Sequence, residues 1–232
     1  MLLKARSYEK EYLDTNHIAT KDLYRNLVEL DIINYWLGGY NASLNGFSDI
    51  IKINKEASKI LDIGFGGGDS IKQLSMLADK LNLNLFFYGV DLKLDCVKYA
   101  EDNLFTILNK QLICDDYRNI SKELLNKIDV IHCSLFLHHL TNDEIIDLLK
   151  FCKTNNCIIL LNDLHRHWLA YYSIKFLTIL FSKSYLVKND APLSVKRGFK
   201  KSELISLLQT AGFTDYSVKW SWAFRYKIIA HR

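Results

Sequence analysis

The sequence predicts an α/β domain with a seven-stranded, mostly parallel sheet that finishes in an antiparallel hairpin. Three observations support this fold class. Short apolar runs alternate with helix-like segments from residue 59 onward, and such alternation is typical of parallel strands joined by crossover helices. A glycine-rich turn, GFGGG, follows the first of these runs. Near the C-terminus two strand-like runs are separated by only three residues, which is short enough for a hairpin.

Composition and charge limit the function classes. The chain has 232 residues, 49% of them hydrophobic and 24% charged, so it can bury the core of one large domain. The net charge of +4 is small and the basic residues are scattered, which argues against a nucleic-acid partner. The five cysteines lack zinc-ligand spacing, so we expect reduced thiols and a cytoplasmic protein. We also expect no secretory signal and no transmembrane segment.

The first part of the chain predicts a helical cap, residues 1–56, in front of the main domain, residues 57–232. Between residues 9 and 44 the apolar side chains recur at helical spacing. The glycine pair in WLGGY is expected to end this helix.

The main domain is predicted to alternate strands and helices. The strands are expected at residues 59–63, 85–90, 111–114, 128–133, 157–161, 216–220 and 224–230. The main helices are expected at residues 70–81, 94–104, 143–152 and 201–211. Residues 163–199 interrupt this alternation with an aromatic-rich helix and the single proline, Pro192. A long connection after a strand is usually functional, so this insertion predicts a lid.

The glycine-rich turn after the first strand is suited to a ligand that approaches the backbone closely. A phosphate-binding loop requires a Lys-Ser/Thr pair after its last glycine, but Asp69 follows Gly68 here. A dinucleotide fingerprint would need a third glycine at the position of Asp69. The pattern that fits is acid-x-Gly-x-Gly-x-Gly, which starts at Asp62 and continues through Gly64 and Gly66. Its acids favour the cationic groups of S-adenosylmethionine (SAM) over a pyrophosphate, although a turn without a ligand remains the alternative.

Acids also follow the next two strands, at the edge where open α/β sheets bind ligands. Asp91 ends the second strand, where a carboxylate can accept both hydroxyls of a ribose or cap the next helix. Asp115 and Asp116 follow the third strand, where one carboxylate can accept from an adenine amino group while Tyr117 flanks the ring. The segment SLFLHHL then turns over the same edge after the fourth strand.

The order of these motifs along the chain resembles that of the class I SAM-dependent methyltransferases. The motifs are the glycine turn, the strand-end acids, SLFLHHL and the closing hairpin. The resemblance covers the chain from about residue 57 to the C-terminus and implies a Rossmann-like fold. FLHHL is similar to the quinone-biosynthesis enzymes of that family. INYWLGGY, NDLHRHWLAYYSIK, SVKRGF and WAFRYKIIA are similar to its small-molecule enzymes of bacterial polyketide and aromatic-pigment pathways. The resemblance implies a SAM site formed by Asp62, Gly64, Gly66, Gly68, Asp91, Leu92, Asp115, Asp116, Tyr117 and Ser134.

The resemblance also bears on metals and on the acceptor. The metal-dependent catechol methyltransferases carry an acid where this chain has Cys133 and Ser134, so we expect no metal ion. The implied activity is methyl transfer to a small aromatic or polyketide-derived molecule, with O-methylation of a hydroxyl as the first expectation. A hydroxyl acceptor must lose a proton, so histidines near the sheet edge are the catalytic candidates. His165 is placed first, ahead of His138 and His139, although each could serve a structural purpose instead.

The acceptor pocket is expected to be apolar and to lie under the lid. Its candidate residues are Trp36, Tyr40, His167, Trp168, Tyr172 and Arg197. Arg225 is, with Arg197, a candidate to hold an acidic substrate group. Two other functions stay open, namely C-methylation of an electron-rich ring and service as a non-catalytic SAM-binding subunit of a complex. The protein is expected to be a monomer or a homodimer.

Overall fold

The N-terminal region consists of one short turn and two helices. The computed structural model describes residues 3–15 and 18–231. A 3-10 turn at Tyr12–Asp14 precedes helices α1 (Thr20–Trp36) and α2 (Asn41–Ile53). The prediction of one helical pattern over residues 9–44 is therefore wrong at its start. There the backbone amides of Tyr12 and Leu13 donate to the Asp190 carboxylate instead of to a helical carbonyl.

The sheet confirms the predicted fold class. Its seven strands follow the order β3-β2-β1-β4-β5-β7-β6. Strands β1 to β5 are parallel to one another, whereas β7 is antiparallel to both β5 and β6. The strands are β1 (Lys59–Ile63), β2 (Phe86–Asp91), β3 (Lys110–Cys114), β4 (Val130–Ser134), β5 (Ile158–Leu164), β6 (Asp215–Ser221) and β7 (Arg225–His231).

Helices cover both faces of the sheet and enclose two apolar cores. Besides α2, they are α3 (Asp69–Leu81), α4 (Leu94–Asn103), α6 (Asn142–Thr154) and α9 (Lys201–Thr210), with a single-turn helix α5 (Lys122–Leu125) before β4. One core lies under α6 and α9, and the other lies under α2, α3 and α4. None of the helices in the described part of the chain is long and apolar enough to cross a membrane.

The insertion after β5 forms a helical hairpin. Helix α7 (Trp168–Phe181) is the predicted aromatic helix, and α8 (Tyr185–Arg197) follows it closely. Helix α8 was not predicted because it contains Pro192, a residue that usually ends a helix. Since β5 ends at the carboxyl edge of the sheet, the hairpin begins beside the strand order reversal between β1 and β4, where α/β sheets bind ligands.

Candidate functional site

The glycine turn between β1 and α3 forms an open backbone cradle. Gly64, Gly66 and Gly68 have φ angles of +68°, +56° and +80°, a region that favours glycine. A Cβ on Gly64 would lie 2.3 Å from the ring of Phe136, so this position also requires close packing. A Cβ on Gly66 would meet only Leu27, at 3.9 Å, so the backbone at Gly66 faces open space.

Asp91 holds this cradle from the end of β2. Its Oδ2 accepts the backbone amide of Gly66 at 3.0 Å, and its Oδ1 accepts the amide of Lys93 at 2.9 Å. Burial raises the pKa of the Asp91 carboxyl, and the two amide bonds oppose that shift. The side chain thus couples the glycine turn to the start of α4, while each oxygen keeps a lone pair for a ligand hydroxyl. The neighbouring Leu92 is exposed.

Asp62 belongs to a buried polar network that the sequence did not predict. Its Oδ1 lies 2.8 Å from Nδ1 of His132, and Nε2 of His132 lies 2.8 Å from the Ser43 hydroxyl. The amide of Asn162 donates to Ser43 at 3.1 Å and to the Ser134 hydroxyl at 3.2 Å. Oδ2 of Asp62 is buried and has no hydrogen-bond partner among the described residues. The available signal for His132 was a single polar residue inside the apolar run VIHC.

Two further acids lie near the cradle. Burial and the charge of Asp31 raise the pKa of Asp69 to about 6. Asp31 accepts the hydroxyl of Tyr40 at 2.7 Å, and Tyr40 is buried. Trp36, four residues earlier and also a predicted acceptor residue, is 79% exposed at the end of α1. Helix α1 therefore contributes a carboxylate, that of Asp31, whose charge acts on Asp69 at the end of the glycine turn.

The predicted adenine residues lie beyond β3. Asp116 is bound by its neighbour, because its Oδ1 accepts from the backbone amide and Nε of Arg118, both at 2.9 Å. Asp115 is exposed and accepts from Asn119 at 2.8 Å. Tyr117 is half-buried and packs edge-on against Phe151, with ring centroids 5.5 Å apart. Asp115 is thus more open to a ligand amino group than Asp116.

His138 and His139 occupy a 3-10 turn after β4, and each ring is held by a carboxylate. Nδ1 of His138 lies 2.8 Å from Oδ1 of Asp163, and Nδ1 of His139 lies 2.7 Å from Oδ1 of Asp14. Although burial favours a neutral ring, the hydrogen bond to Asp14 and the charge of Glu11 raise the pKa of His139. Each imidazole is therefore fixed with its Nε2 turned away from its carboxylate.

Glu11 faces both Nε2 atoms. Its carboxylate oxygens lie 3.7 Å from Nε2 of His138 and 3.9 Å from Nε2 of His139, which is too far for hydrogen bonds. Glu11, His138 and His139 together present the donor set of a divalent metal site. However, Nη1 of Arg197 pairs with Asp14 at 2.5 Å and its Nε lies 3.8 Å from Glu11. The guanidinium supplies positive charge to the acids of this group, so we treat the group as an ion-pair network.

His165 and His167, which follow β5, have no carboxylate partner among the described residues. Burial and the charge of Lys200 lower the pKa of His165 to about 4. Its Nδ1 is buried without a hydrogen-bond partner in the described chain. Nδ1 of His167 accepts the backbone amide of Leu169 and caps α7, while its ring stacks on Phe224. Trp168 and Tyr172, the next predicted acceptor residues, are more than half exposed on α7.

Arg225, at the start of β7, is a buried cation without a carboxylate within ion-pair distance in the described structure. Its Nη2 donates to Oδ1 of Asn34 at 2.7 Å, whereas its Nη1 has no described partner. A Cβ on Gly39 would lie 2.8 Å from Nη2. The absence of a side chain at Gly39, the second glycine of WLGGY, therefore leaves room for the Arg225 guanidinium. Burial lowers the pKa of Arg225 to about 10.

A surface cavity of about 510 Å³ lies elsewhere, between the N-terminal segment and α9. Arg6, Phe199 and Glu203 are among its lining residues, and none of the predicted site residues lines it. We therefore place the candidate site at the carboxyl edge of the sheet and not in this cavity.

Part of the chain matches a known family model. Residues 60–154, which run from β1 through α6, match the family model described as a methyltransferase domain. A comparison with curated proteins found no significant match. The methyltransferase resemblance inferred from the motifs is thus confirmed over residues 60–154, which contain the glycine cradle and Asp91.

Solved structures with the same fold cover most of the chain. The plantazolicin methyltransferase BpumL in complex with SAH is 18% identical, with a TM-score of 0.65 over 92% of this chain and 95% of that one. The magnesium protoporphyrin IX methyltransferase of Synechocystis PCC 6803 with bound SAH is 16% identical, with a TM-score of 0.58 over 91% and 93%. A SAM-dependent methyltransferase from Aquifex aeolicus is 18% identical, with a TM-score of 0.54 over 75% and 82%. The Rossmann-like methyltransferase fold is therefore confirmed.

Proposed function

We propose that this protein uses SAM to methylate a hydroxyl oxygen of a small aromatic or polyketide-derived molecule. The observation that carries the proposal is the open cradle at Gly66, which Asp91 fixes by a direct hydrogen bond. The matched methyltransferase domain and the neighbours solved with SAH support the same cofactor.

The charges around the cradle favour SAM over a phosphate-bearing cofactor. Asp62, Asp69 and Asp31 all lie on or beside the glycine turn, and the buried Oδ2 of Asp62 lacks a described partner. Carboxylates in this position attract the ammonium and sulfonium groups of SAM, whereas they repel a pyrophosphate. Asp91 would accept the ribose hydroxyls, and Asp115 would accept the adenine amine. The hydroxyl and amino groups of SAM would thus donate hydrogen bonds to the carboxylates of Asp91 and Asp115.

We assign the removal of the acceptor's proton to the His138–His139 pair in preference to His165. A general base works best when its pKa lies near the operating pH. The pKa of His165, about 4, makes it a weak base at neutral pH. His138 and His139 are instead oriented by Asp163 and Asp14, and the contact with Asp14 helps to raise the pKa of His139. Methyl transfer itself mainly requires that the acceptor oxygen be aligned with the sulfonium methyl group.

The acceptor would lie between this pair and the aromatic side chains at the start of α7 and β7. His167, Trp168 and Phe224 form a stacked aromatic group there. Nη1 of Arg225 is available to hold an acidic substituent, because Arg197, the other candidate, is already paired with Asp14. These features favour a planar acceptor that carries a phenol and an anionic group.

The test is product analysis with SAM and a panel of phenolic acids. O-methylation predicts a mass gain of one methyl group on the phenols and no reaction with the matched compounds whose hydroxyl is already methylated. Methylation of those blocked compounds would favour C-methylation. Binding of SAH in a calorimetric titration without turnover of any acceptor would favour a non-catalytic subunit. Binding of NAD without binding of SAH would overturn the proposal.

A further inference from the structure

Helix α7 exposes an apolar face that a water-facing helix would not have. One side of the helix packs inward through Ala170, Tyr171 and Thr178. The opposite side is expected to be polar in a helix that covers a core. Instead it presents Trp168, Leu169, Tyr172, Phe176, Ile179 and Leu180, each between 42% and 63% exposed. We call these six side chains the α7 apolar face.

The exposed charged residues of the helical hairpin itself are basic. Residues 168–199 contain five basic residues and one acid, a net charge of +4 that equals that of the whole chain. The acid, Asp190, is buried and accepts backbone amides of the N-terminal turn. Lys175, Lys183 and Lys188 are exposed and have no ion-pair partner among the described residues. The exposed charge of the helical hairpin is therefore entirely cationic.

Helix α1 continues the apolar surface. Glu29 of α1 accepts the Ser182 hydroxyl and the amide of Lys183 just after α7 ends. Ile32 and Trp36 lie three and seven residues after Glu29, on the same helix face, and both are at least half exposed. All four tryptophans of the chain, Trp36, Trp168, Trp220 and Trp222, are more than half exposed. Tryptophan is typical of surfaces that meet the boundary between water and lipid.

We propose that the α7 apolar face docks on the surface of an anionic lipid bilayer. A helix that has apolar and aromatic side chains on one exposed side and lysines around it can lie in the interfacial plane. The lysines would contact lipid headgroups while Phe176 and Leu180 enter the acyl boundary. The docking proposal depends only on this surface and does not require the proposed function. If the proposed function holds as well, a planar aromatic acceptor with an anionic group would enter the site from the bilayer surface, because α7 begins beside His167.

The experiment is flotation with vesicles of phosphatidylcholine alone and of phosphatidylcholine mixed with phosphatidylglycerol. The wild-type chain should bind the mixed vesicles more tightly. The triple variant K175Q/K183Q/K188Q should lose about a hundredfold in affinity for the mixed vesicles, since each lysine near an anionic surface is worth roughly fivefold. On phosphatidylcholine alone this variant should match the wild type. The variant F176Q/L180Q should bind more weakly to both kinds of vesicle.

A matched control removes apolar area from the opposite edge of the sheet. Phe105 and Leu108 precede β3 and are 75% and 89% exposed, so F105Q/L108Q should bind vesicles like the wild type. SAH titration of every variant reports folding and the cofactor site separately from docking. The proposal is overturned if the wild type does not float with mixed vesicles or if F176Q/L180Q binds unchanged. A wild-type dimer that F176Q/L180Q converts to a monomer, without vesicle binding, would assign the face to a second copy and overturn it too.

Discussion

The two halves of the sheet build their sites in different ways. In the half around β1, β2 and β3, the bond between Gly66 and Asp91 joins residues that are 25 positions apart. In the half around β4, β5 and β7, the His139–Asp14 and Arg197–Asp14 contacts span 125 and 183 positions. The glycine cradle of the cofactor half therefore depends on a motif and the strand that follows it, whereas the histidine pair of the acceptor half depends on the N-terminal segment folding back across the chain.

This difference decides which part of the site can be recognised in a sequence. A glycine turn and a strand-end acid have a spacing that can be recognised in a sequence. A network that includes Asp14, His139 and Arg197 has no such spacing, because its members come from three distant segments. We therefore expect substitutions in the acceptor half to change turnover, and substitutions in the cofactor half to change SAM affinity.

The largest expected effect is on turnover, and it tests whether His138 and His139 or His165 supply the catalytic base. His138→Gln or His139→Gln should lower turnover of a phenolic acceptor by about 10²–10⁴-fold if the pair supplies the base, with SAH affinity retained. His165→Gln should lower turnover only a few-fold. Because the pKa of His139 is raised above 6.5, a rate that depends on it should fall as pH drops below that raised value. If His165 were the base, the rate would instead fall near pH 4.

Asp91 gives the next largest effect and concerns the cofactor half. Asp91→Ala should weaken SAH binding by more than tenfold, because each charge-assisted hydrogen bond is worth about 1.5–3 kcal/mol. The melting temperature should also fall, since the amides of Gly66 and Lys93 lose their acceptor. Calorimetric titration and thermal unfolding measure the two effects. Asp102→Ala, on the outer side of α4, is the control and should change neither. Unchanged SAH affinity in Asp91→Ala would place the ribose elsewhere.

The sequence predicted the strands and the cofactor half more completely than the acceptor half. Strand β1 was predicted with its observed bounds, because an apolar run followed by glycines has few other interpretations. The N-terminal turn was predicted as helix, since its apolar spacing does not reveal that Asp190 takes its amides. His132 was missed because a single polar residue in a buried strand does not identify its partners. Hydrogen-bond partners that are distant in the sequence are decided by tertiary packing, and a local sequence pattern carries no information on that packing.

A pair of glycine substitutions sharpens the comparison through stability. Gly39→Ala would bring a Cβ to 2.8 Å from both Arg225 and Asn34. It should lower the free energy of unfolding by about 1–3 kcal/mol through overpacking, with SAH affinity retained. Gly66→Ala meets only Leu27 at 3.9 Å, but it places an alanine at a φ of +56° and fills the cradle. It should therefore weaken SAH binding, and the left-handed backbone should also cost about 1–2 kcal/mol of stability. Denaturant unfolding and SAH titration of both variants test this, and the reverse pattern would contradict the division.

The smallest expected effect is an opposite pH dependence of stability at two histidines. His139 has a raised pKa in the folded state, so its contribution is present below the unfolded value of 6.5 and is lost as pH rises through the folded value. His165 has a folded pKa of about 4, so the stability that its neutral ring contributes to the folded protein is present above pH 6.5 and is lost as pH falls toward 4.

His139→Asn should therefore destabilise the protein more at pH 5.5 than at pH 8.5. These two pH values lie about one to two units on either side of the ordinary histidine pKa. His165→Asn should show the reverse, with differences below about 1 kcal/mol because the ring is only partly buried. Urea unfolding at both pH values measures them, and the same sign for both variants would show that the two rings do not differ in the way that the Asp14 contact requires.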